Sequence, residues 1–154
     1  MALYGDEVFY GNIAFRTGTR RFYNIFQVGL GSAWMVNYMY GIGTSFALGE
    51  KLALSVDIIS GLVFSTTPSL ALHGTLTKLL TAVEYRFRNH FALFAGPTYK
   101  LYAFDLSRTV KPNGIAPYTF FNQVNGRQRI QMWIGEQLDF GFSKRLSPKP
   151  KFFS

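Results

Sequence analysis

The 154-residue sequence predicts an all-β fold, a single-domain antiparallel up-and-down barrel. Three observations lead to this prediction. Alternation of apolar and polar side chains recurs in long runs, and no helical periodicity of useful length competes with it. Tight polar turns alternate with longer connections, as sequential hairpins require. Aromatic residues make up 18% of the chain and charged residues only 16%, which departs from an ordinary soluble domain.

The first half of the chain contains four predicted strands. The alternation is weak in the first, and Asn24 interrupts the apolar face of the second. In the fourth, large apolar residues occupy one face, while Asp57 lies on the other face among small residues. In chain order, the predicted strands are Val8–Phe15, Phe22–Leu30, Asn37–Leu48 and Leu52–Phe64.

The second half contains three more predicted strands, Thr75–Phe87, Phe91–Phe104 and Ile130–Phe142. The first of these has the clearest pattern, because one face is β-branched, apolar and aromatic and the other carries every charge. In the last, Glu136 falls on the apolar face. Either this carboxylate lies at a depth where a charge on the apolar face costs little, as at a membrane–water interface, or a β-bulge shifts the register nearby.

The apolar face is expected to point outward. A soluble barrel turns its apolar residues inward, whereas an outer-membrane barrel reverses this order. Several predicted strands are longer than the 9–11 residues that a tilted strand needs to cross the hydrocarbon core. Their polar faces carry Gly, Ala and Ser among isolated charges, which suits a narrow interior. A soluble β-sandwich or lipocalin-like binding barrel is the alternative.

Aromatic side chains cluster toward the ends of the predicted strands. Trp and Tyr are enriched at both membrane–water interfaces, and aromatic girdles flank the apolar band of outer-membrane barrels. The predicted girdle consists of Tyr38, Tyr40, Phe46, Phe64, Tyr85, Phe87, Phe91 and Tyr99.

Three segments resemble a known family. They are YGIGTSFALGEKLALSVDIISGLVF, LLTAVEYRFRNHFALFAGPTYKLYAF and the closing GEQLDFGFSKRL. Together they are similar to small outer-membrane β-barrel proteins of Bacteroidetes-type bacteria. The resemblance implies the barrel fold and an outer-membrane location, and it implies no particular activity because the family is functionally diverse. One departure is that the last strand continues into SPKPKFFS instead of ending at an aromatic residue.

The strand count depends on the connections. Gly49–Lys51 and Arg88–His90 are predicted tight turns, and Asp105–Gln128 is a predicted long extracellular loop. Residues 1–7 and 147–154 are predicted terminal tails. Short turns lie on the periplasmic side and bacterial barrels have even strand numbers, so seven strands here predict eight in the complete protein. We expect a strand and a signal peptide to be missing from this chain; alternatively, a partner chain or the N-terminal residues complete the barrel.

Most charged residues of the strands are predicted to face inward. Buried charges must be paired, so Asp57 needs a basic neighbour such as Lys78. An internal salt-bridge network that fills the interior is the main expectation, and a narrow channel or a ligand cavity is the alternative. The predicted interior polar network consists of Asp57, Lys78, Glu84, Arg86, Lys100, Arg129 and Asp139.

Composition excludes several other classes of function. The chain has no cysteine, which excludes a disulfide scaffold and a thiolate metal site, and no cofactor or metal is expected. The net charge of +8 would suit nucleic acid, but aromatic and basic residues fall mostly on opposite faces, so no nucleic-acid partner is expected. No run of 18 apolar residues exists to form a transmembrane helix.

Few residues suggest catalysis. His73 and Ser69 fall in one predicted extracellular loop and Asp105 in another, which leaves a rim-located enzyme as an alternative, although no nucleophile motif supports it. His90 falls in a tight turn and is expected to be solvated.

The expected function is a non-enzymatic, monomeric outer-membrane barrel in contact with lipids. Its loops would bind an extracellular ligand or protein, or it would stabilise the envelope; a pore or small-ligand carrier is the other alternative.

Overall fold

The computed structural model describes residues 2–5, 11–19, 21–31, 35–65, 74–88, 91–105 and 119–142. These residues form antiparallel strands joined by turns. The strands are β1 Ala2–Gly5, β2 Gly11–Gly18, β3 Phe22–Leu30, β4 Met35–Ala47, β5 Leu52–Ser65, β6 Gly74–Arg88, β7 Phe91–Asp105, β8 Phe121–Asn125 and β9 Gln128–Phe142. No helix among the described residues is long and apolar enough to span a membrane.

The strands form one sheet in the order β1-β2-β3-β4-β5-β6-β7-β9-β8. β1 also pairs with β9, from Ala2 opposite Gly141 to Gly5 opposite Leu138. The pairing of β1 to β7 and β9 is therefore cyclic, and β8 pairs with β9 as an additional strand. The predicted all-β, antiparallel up-and-down fold is confirmed.

The N-terminal region differs from the prediction. Residues 1–7 were expected to be a tail, but Ala2–Gly5 forms β1, which lies between β2 and β9. β1 supplies the strand that the sequence prediction did not find in this chain, in agreement with the alternative that the N-terminal residues complete the barrel. Four residues are too few for alternation to be recognised. The described part of the next strand is Gly11–Gly18, so this strand extends beyond the predicted end at Phe15, and residues 8–10 of the predicted strand lie outside the described residues.

The sheet has two distinct ends. The connections β2–β3, β4–β5 and β6–β7 are short, and we call their side the short-turn end. The last residues of β3, β5 and β7 lie at the opposite side, which we call the long-loop end. The structure differs in part from the predicted loop Asp105–Gln128. Asp105 is the last residue of β7, and Phe121–Asn125 forms the strand β8. Residues 106–118 and 147–154 lie outside the described part of the chain.

Side chains alternate between a buried and an exposed face along nearly every strand, because successive residues of a β-strand point to opposite sides. The buried apolar residues form a main cluster that extends from the long-loop end. Its larger members are Ile25, Met35, Met39, Ile59, Val63, Leu76, Tyr102, Phe104 and Trp133. A smaller cluster, Leu80, Ala82, Ala92 and Phe94, lies toward the short-turn end.

Glu136 lies on the exposed face, opposite Pro97 of β7. The register of β7 and β9 is unbroken over their full length, so no β-bulge occurs beside Glu136. The register shift in the sheet instead falls between Arg86 and Arg88 of β6. Of the two hypotheses for Glu136, the bulge is therefore wrong.

Candidate functional site

The buried face toward the short-turn end contains an ion pair that spans the interior. Nη2 of Arg16 on β2 donates to Oδ2 of Asp57 on β5 at 2.8 Å. The hydroxyl of Tyr23 on β3 donates to Oδ1 of the same carboxylate at 2.7 Å. Both oxygens of Asp57 are therefore satisfied, although the residue has 0% exposure. This arrangement meets the requirement that a buried charge be both paired and hydrogen-bonded.

Aromatic rings hold the Arg16 guanidinium in place. Its Cζ lies 4.4 Å from the ring centroid of Phe94 and 5.5 Å from that of Tyr23. Nη2 also lies 3.8 Å from Oδ2 of Asp139 on β9. Arg16 thus contacts side chains from four different strands, and cation–π and charge interactions both stabilise its position.

A glycine makes room for this ion pair. Gly43 on β4 lies directly opposite Asp57. A Cβ at Gly43 would overlap the Asp57 carboxylate and the Tyr23 ring. The small residues on the polar faces of the strands therefore have a specific role here, which is to leave volume for charged side chains.

Two further carboxylates are held along single strands. Nε of Arg86 donates to Oε1 of Glu84 at 2.6 Å. Nε2 of Gln137 donates to both oxygens of Asp139, at 2.9 and 3.1 Å. In both cases the partners are two residues apart, so they lie on the same face of one strand.

The predicted partner Lys78 does not lie directly opposite Asp57. In the register of β5 and β6, Lys78 lies opposite Ile59, and Asp57 lies opposite Leu80. Lys78 instead lies opposite Lys100 on β7. Both lysines are buried, and Nζ of Lys100 lies 6.0 Å from the ring of Trp133.

A second polar cluster consists of amides. Nε2 of Gln27 donates to Oδ1 of Asn12 at 3.0 Å and to Oδ1 of Asn37 at 3.2 Å. Nδ2 of Asn37 also donates to Oδ1 of Asn12 at 3.3 Å. All three side chains are buried and join β2, β3 and β4. A Cβ at Gly29 would overlap Asn12 and Asn37, so glycine again provides the volume.

The seven residues of the predicted interior network have different positions. Asp57, Lys78, Glu84, Lys100 and Asp139 are buried, and Arg86 is half-buried beside Glu84. Arg129 lies apart from them at the long-loop end, where its Nε donates to Oδ1 of Asn122 on β8 at 2.8 Å. Because β8 extends β9 there, Arg129 takes part in the hairpin and not in the ion-pair cluster.

The residues of the predicted aromatic girdle lie on the outer face. Tyr85 and Phe87 contact each other edge to face with ring centroids 4.8 Å apart. Phe87 contacts Phe91, which in turn contacts Phe140, so one aromatic group lies at the short-turn end. Tyr38 and Phe64 form an edge-to-face pair nearer the long-loop end. The remaining three, Tyr40, Phe46 and Tyr99, are exposed.

Of the two histidines and the predicted rim residues Ser69 and Asp105, only Asp105 lies in the described part of the chain. His73, Ser69 and His90 lie outside the described residues. Asp105 is exposed at the end of β7. In the described part of the chain, no group of three or more His, Cys, Asp or Glu side chains is placed to hold a metal ion.

Sequence reasoning missed Arg16, Tyr23 and the amide cluster. The predicted strand Val8–Phe15 ends one residue before Arg16, so Arg16 was not placed on a strand face. The alternation of side chains along β2 would have identified Arg16. Because β2 extends to Gly18, Arg16 lies on the same face as Asn12 and Ala14. Asn12, Gln27 and Asn37 are uncharged and lie on the polar faces, so a search restricted to charges did not include them.

The interior is therefore a fixed network of ion pairs and amide hydrogen bonds, packed against apolar side chains. Every carboxylate of the predicted network has a hydrogen-bond or ion-pair partner among the described residues. Such an arrangement joins strands and stabilises the sheet. No protein-family model, curated protein or solved structure matches the chain.

Proposed function

We propose that this protein is an outer-membrane β-barrel whose outer face contacts lipid and whose interior is filled by its own side chains. Its role is non-enzymatic: it stabilises the envelope or binds a surface partner through the long-loop end. The observation that carries the proposal is the inverted distribution of polarity between the two faces of the sheet.

The outer face has a continuous apolar row around five strands. Ile42 pairs with Ile58, Ile58 with Leu79, Leu79 with Tyr99, and Tyr99 with Ile134. These five side chains are 40–58% exposed. Soluble monomers rarely expose so large a contiguous apolar surface. Lipid chains provide the environment in which this exposure is favourable.

The buried face has the opposite character. Asp57, Lys78, Lys100 and Asp139 are at most 2% exposed. In a soluble lipocalin-like barrel these charges would face water and the apolar row would form the core. The distribution therefore supports the membrane barrel over the soluble alternative.

Two pairs of polar side chains on the outer face bond to each other. The hydroxyl of Tyr40 donates to Oδ1 of Asn24 at 2.9 Å. The hydroxyls of Ser60 and Thr77 lie 2.9 Å apart. Hydrocarbon offers no hydrogen bonds, so polar groups that face it must find protein partners. These pairs favour a lipid-facing surface.

The packing of the interior favours a filled barrel over a pore. Large side chains, including Trp133, Tyr102 and Met39, are fully buried in the main apolar cluster. An eight-stranded barrel has an interior only wide enough for its own side chains. The pore alternative would require this cluster to move aside.

Fractionation and gel migration test the proposal. We expect the protein to partition with outer membranes and to need detergent for extraction. After refolding in detergent, unheated samples should migrate differently from boiled samples, because a folded barrel resists the denaturant of the gel. A protein that is monomeric and soluble without detergent would contradict the proposal. If the protein conducts ions in planar bilayers, the filled-barrel interpretation is wrong and the pore alternative is correct.

A further inference from the structure

β8 is an exception in a sheet whose other strands pair in a cycle. It pairs with β9 alone, from Phe121 opposite Met132 to Asn125 opposite Gln128. Within the described ranges, no strand pairs with its other edge. A cyclic sheet has no edges, so β8 reintroduces one at the long-loop end.

Among the described residues, this edge carries none of the side-chain features that usually block pairing. Natural edge strands carry Pro, inward-pointing charges, lysines or β-bulges that block the addition of another strand. The sequence of β8 is FNQVN, which has no charge and no proline. All five residues are exposed, and so is the preceding Phe120, at 62%.

We propose that β8 pairs edge to edge, in antiparallel orientation, with β8 of a second copy of this chain. A two-fold axis places the same surface on both sides of such an interface. With the axis at Gln123, Phe121 lies opposite Asn125 of the second copy. This pairing depends on the free edge and does not require the membrane location proposed above.

The charge pattern around β8 suits a second copy. Identical strands in antiparallel pairing bring like charges together wherever a charge lies near the axis, and β8 has none. The nearest cations are Arg129, which lies on β9 opposite Val124 and donates to Asn122 at 2.8 Å, and Arg127 beside Gly126, which has a positive φ of 58°. The two-fold axis places this basic turn beside Phe120 of the other copy, where a guanidinium and an aromatic ring attract each other.

The dimer is expected to be weak. Two strands of five residues bury little surface, and isolated strand pairs are marginally stable in water. Confinement of both copies to one membrane would raise their effective concentration. The proposed dimer differs from the sequence-based prediction of a monomer and is best detected by covalent trapping.

Cysteine cross-linking tests the two-fold arrangement directly. The chain has no cysteine, so Gln123→Cys introduces a single thiol. Directly opposed residues of antiparallel strands have Cα atoms about 4.5–5.5 Å apart, within the range that a disulfide spans. We expect mild oxidation of Gln123→Cys to give a disulfide-linked dimer. The matched control, Phe46→Cys, is exposed on β4 far from β8 and should remain monomeric. Equal cross-linking of both variants, or none at position 123, would overturn the proposal.

Charge exchange at the same position provides the second test. Gln123→Lys and Gln123→Glu each place like charges across the axis, so copies with two different tags should no longer co-purify. Mixing the two variants pairs opposite charges and should restore co-purification severalfold. If the mixture behaves like either variant alone, the edge is covered by another protein or by this chain itself, and the proposal is wrong. Heat-dependent gel migration of each variant is the control for folding. If it is the same as in the unaltered protein, a loss of co-purification reflects the edge of β8 and not a misfolded barrel.

Discussion

The guanidinium of Arg16 lies 2.8 Å from the carboxylate of Asp57 and links β2 to β5 through the interior. The two partners are not equivalent. Without Asp57, Arg16 still lies 3.8 Å from Asp139. Without Arg16, Asp57 keeps only the hydroxyl of Tyr23, and Asp139 loses a nearby cation as well. The arginine is therefore the more important member of the pair.

Replacement of Arg16 by methionine should lower the free energy of unfolding more than Asp57→Asn does. Removal of one partner of a buried pair typically costs about 3–5 kcal/mol, because the other charge stays buried without compensation. We expect Arg16→Met to fall in this range and Asp57→Asn below it. Denaturant unfolding of the refolded protein measures both. Glu50→Gln, at an exposed turn, is the control and should change stability by less than about 0.5 kcal/mol. A larger loss for Asp57→Asn would contradict the assigned order.

Replacement of Gly43 by alanine adds only one methyl group, but it should destabilise the protein. The new Cβ would overlap the Asp57 carboxylate and the Tyr23 ring, so the ion pair must shift. Overpacking of this kind typically costs about 1–3 kcal/mol. Gly49→Ala is the matched control, since no atom lies within 4 Å of its added Cβ. Equal unfolding midpoints for the two variants would show that the network does not need the space at Gly43.

Alternation in the sequence was sufficient to separate the two faces of each long strand, and strand length with the small residues of the polar face predicted which face is buried. In β5 and β6 the period of two is regular, so Asp57, Lys78 and Glu84 were correctly placed away from the apolar face. The partners were not predictable, because they depend on register and on side-chain reach. Lys78 lies on the strand next to Asp57 but opposite Ile59, whereas Arg16 reaches Asp57 from β2.

Short elements limited the prediction in a different way. β1 has four residues and β8 five, which is too few for a hydrophobic period to be distinguished from chance. For β8 a local signal was present: Gly126 is the first residue of the two-residue loop Gly126-Arg127, and glycine at this position is typical of β-hairpins. The outer-membrane location and the family resemblance remain predictions.

An arginine at Ile58 should reveal what the outer face contacts. Ile58 is 49% exposed and lies in the apolar row at the middle of β5. In a bilayer, arginine at mid-depth on the lipid face costs about 2–4 kcal/mol, and near the interface the cost falls to about 0–1 kcal/mol. We therefore expect Ile58→Arg to be strongly destabilised in phospholipid vesicles. Leu48→Arg, exposed next to the β4–β5 turn, should change little. Equal stability of the two variants would indicate that Ile58 faces water.

Fluorescence quenching by brominated lipid chains should separate two adjacent positions of β9. Trp133 is 2% exposed on the buried face, and Ile134 is 53% exposed on the outer face. With Trp34 replaced by phenylalanine, Trp133 is the sole tryptophan and should be quenched weakly, because the wall of the barrel separates it from the acyl chains. Ile134→Trp, with both native tryptophans replaced by phenylalanine, should be quenched strongly. Since neighbouring residues of a strand lie at nearly the same depth, only the direction of the side chain distinguishes them. Stronger quenching at position 133 would reverse the assignment of inside and outside.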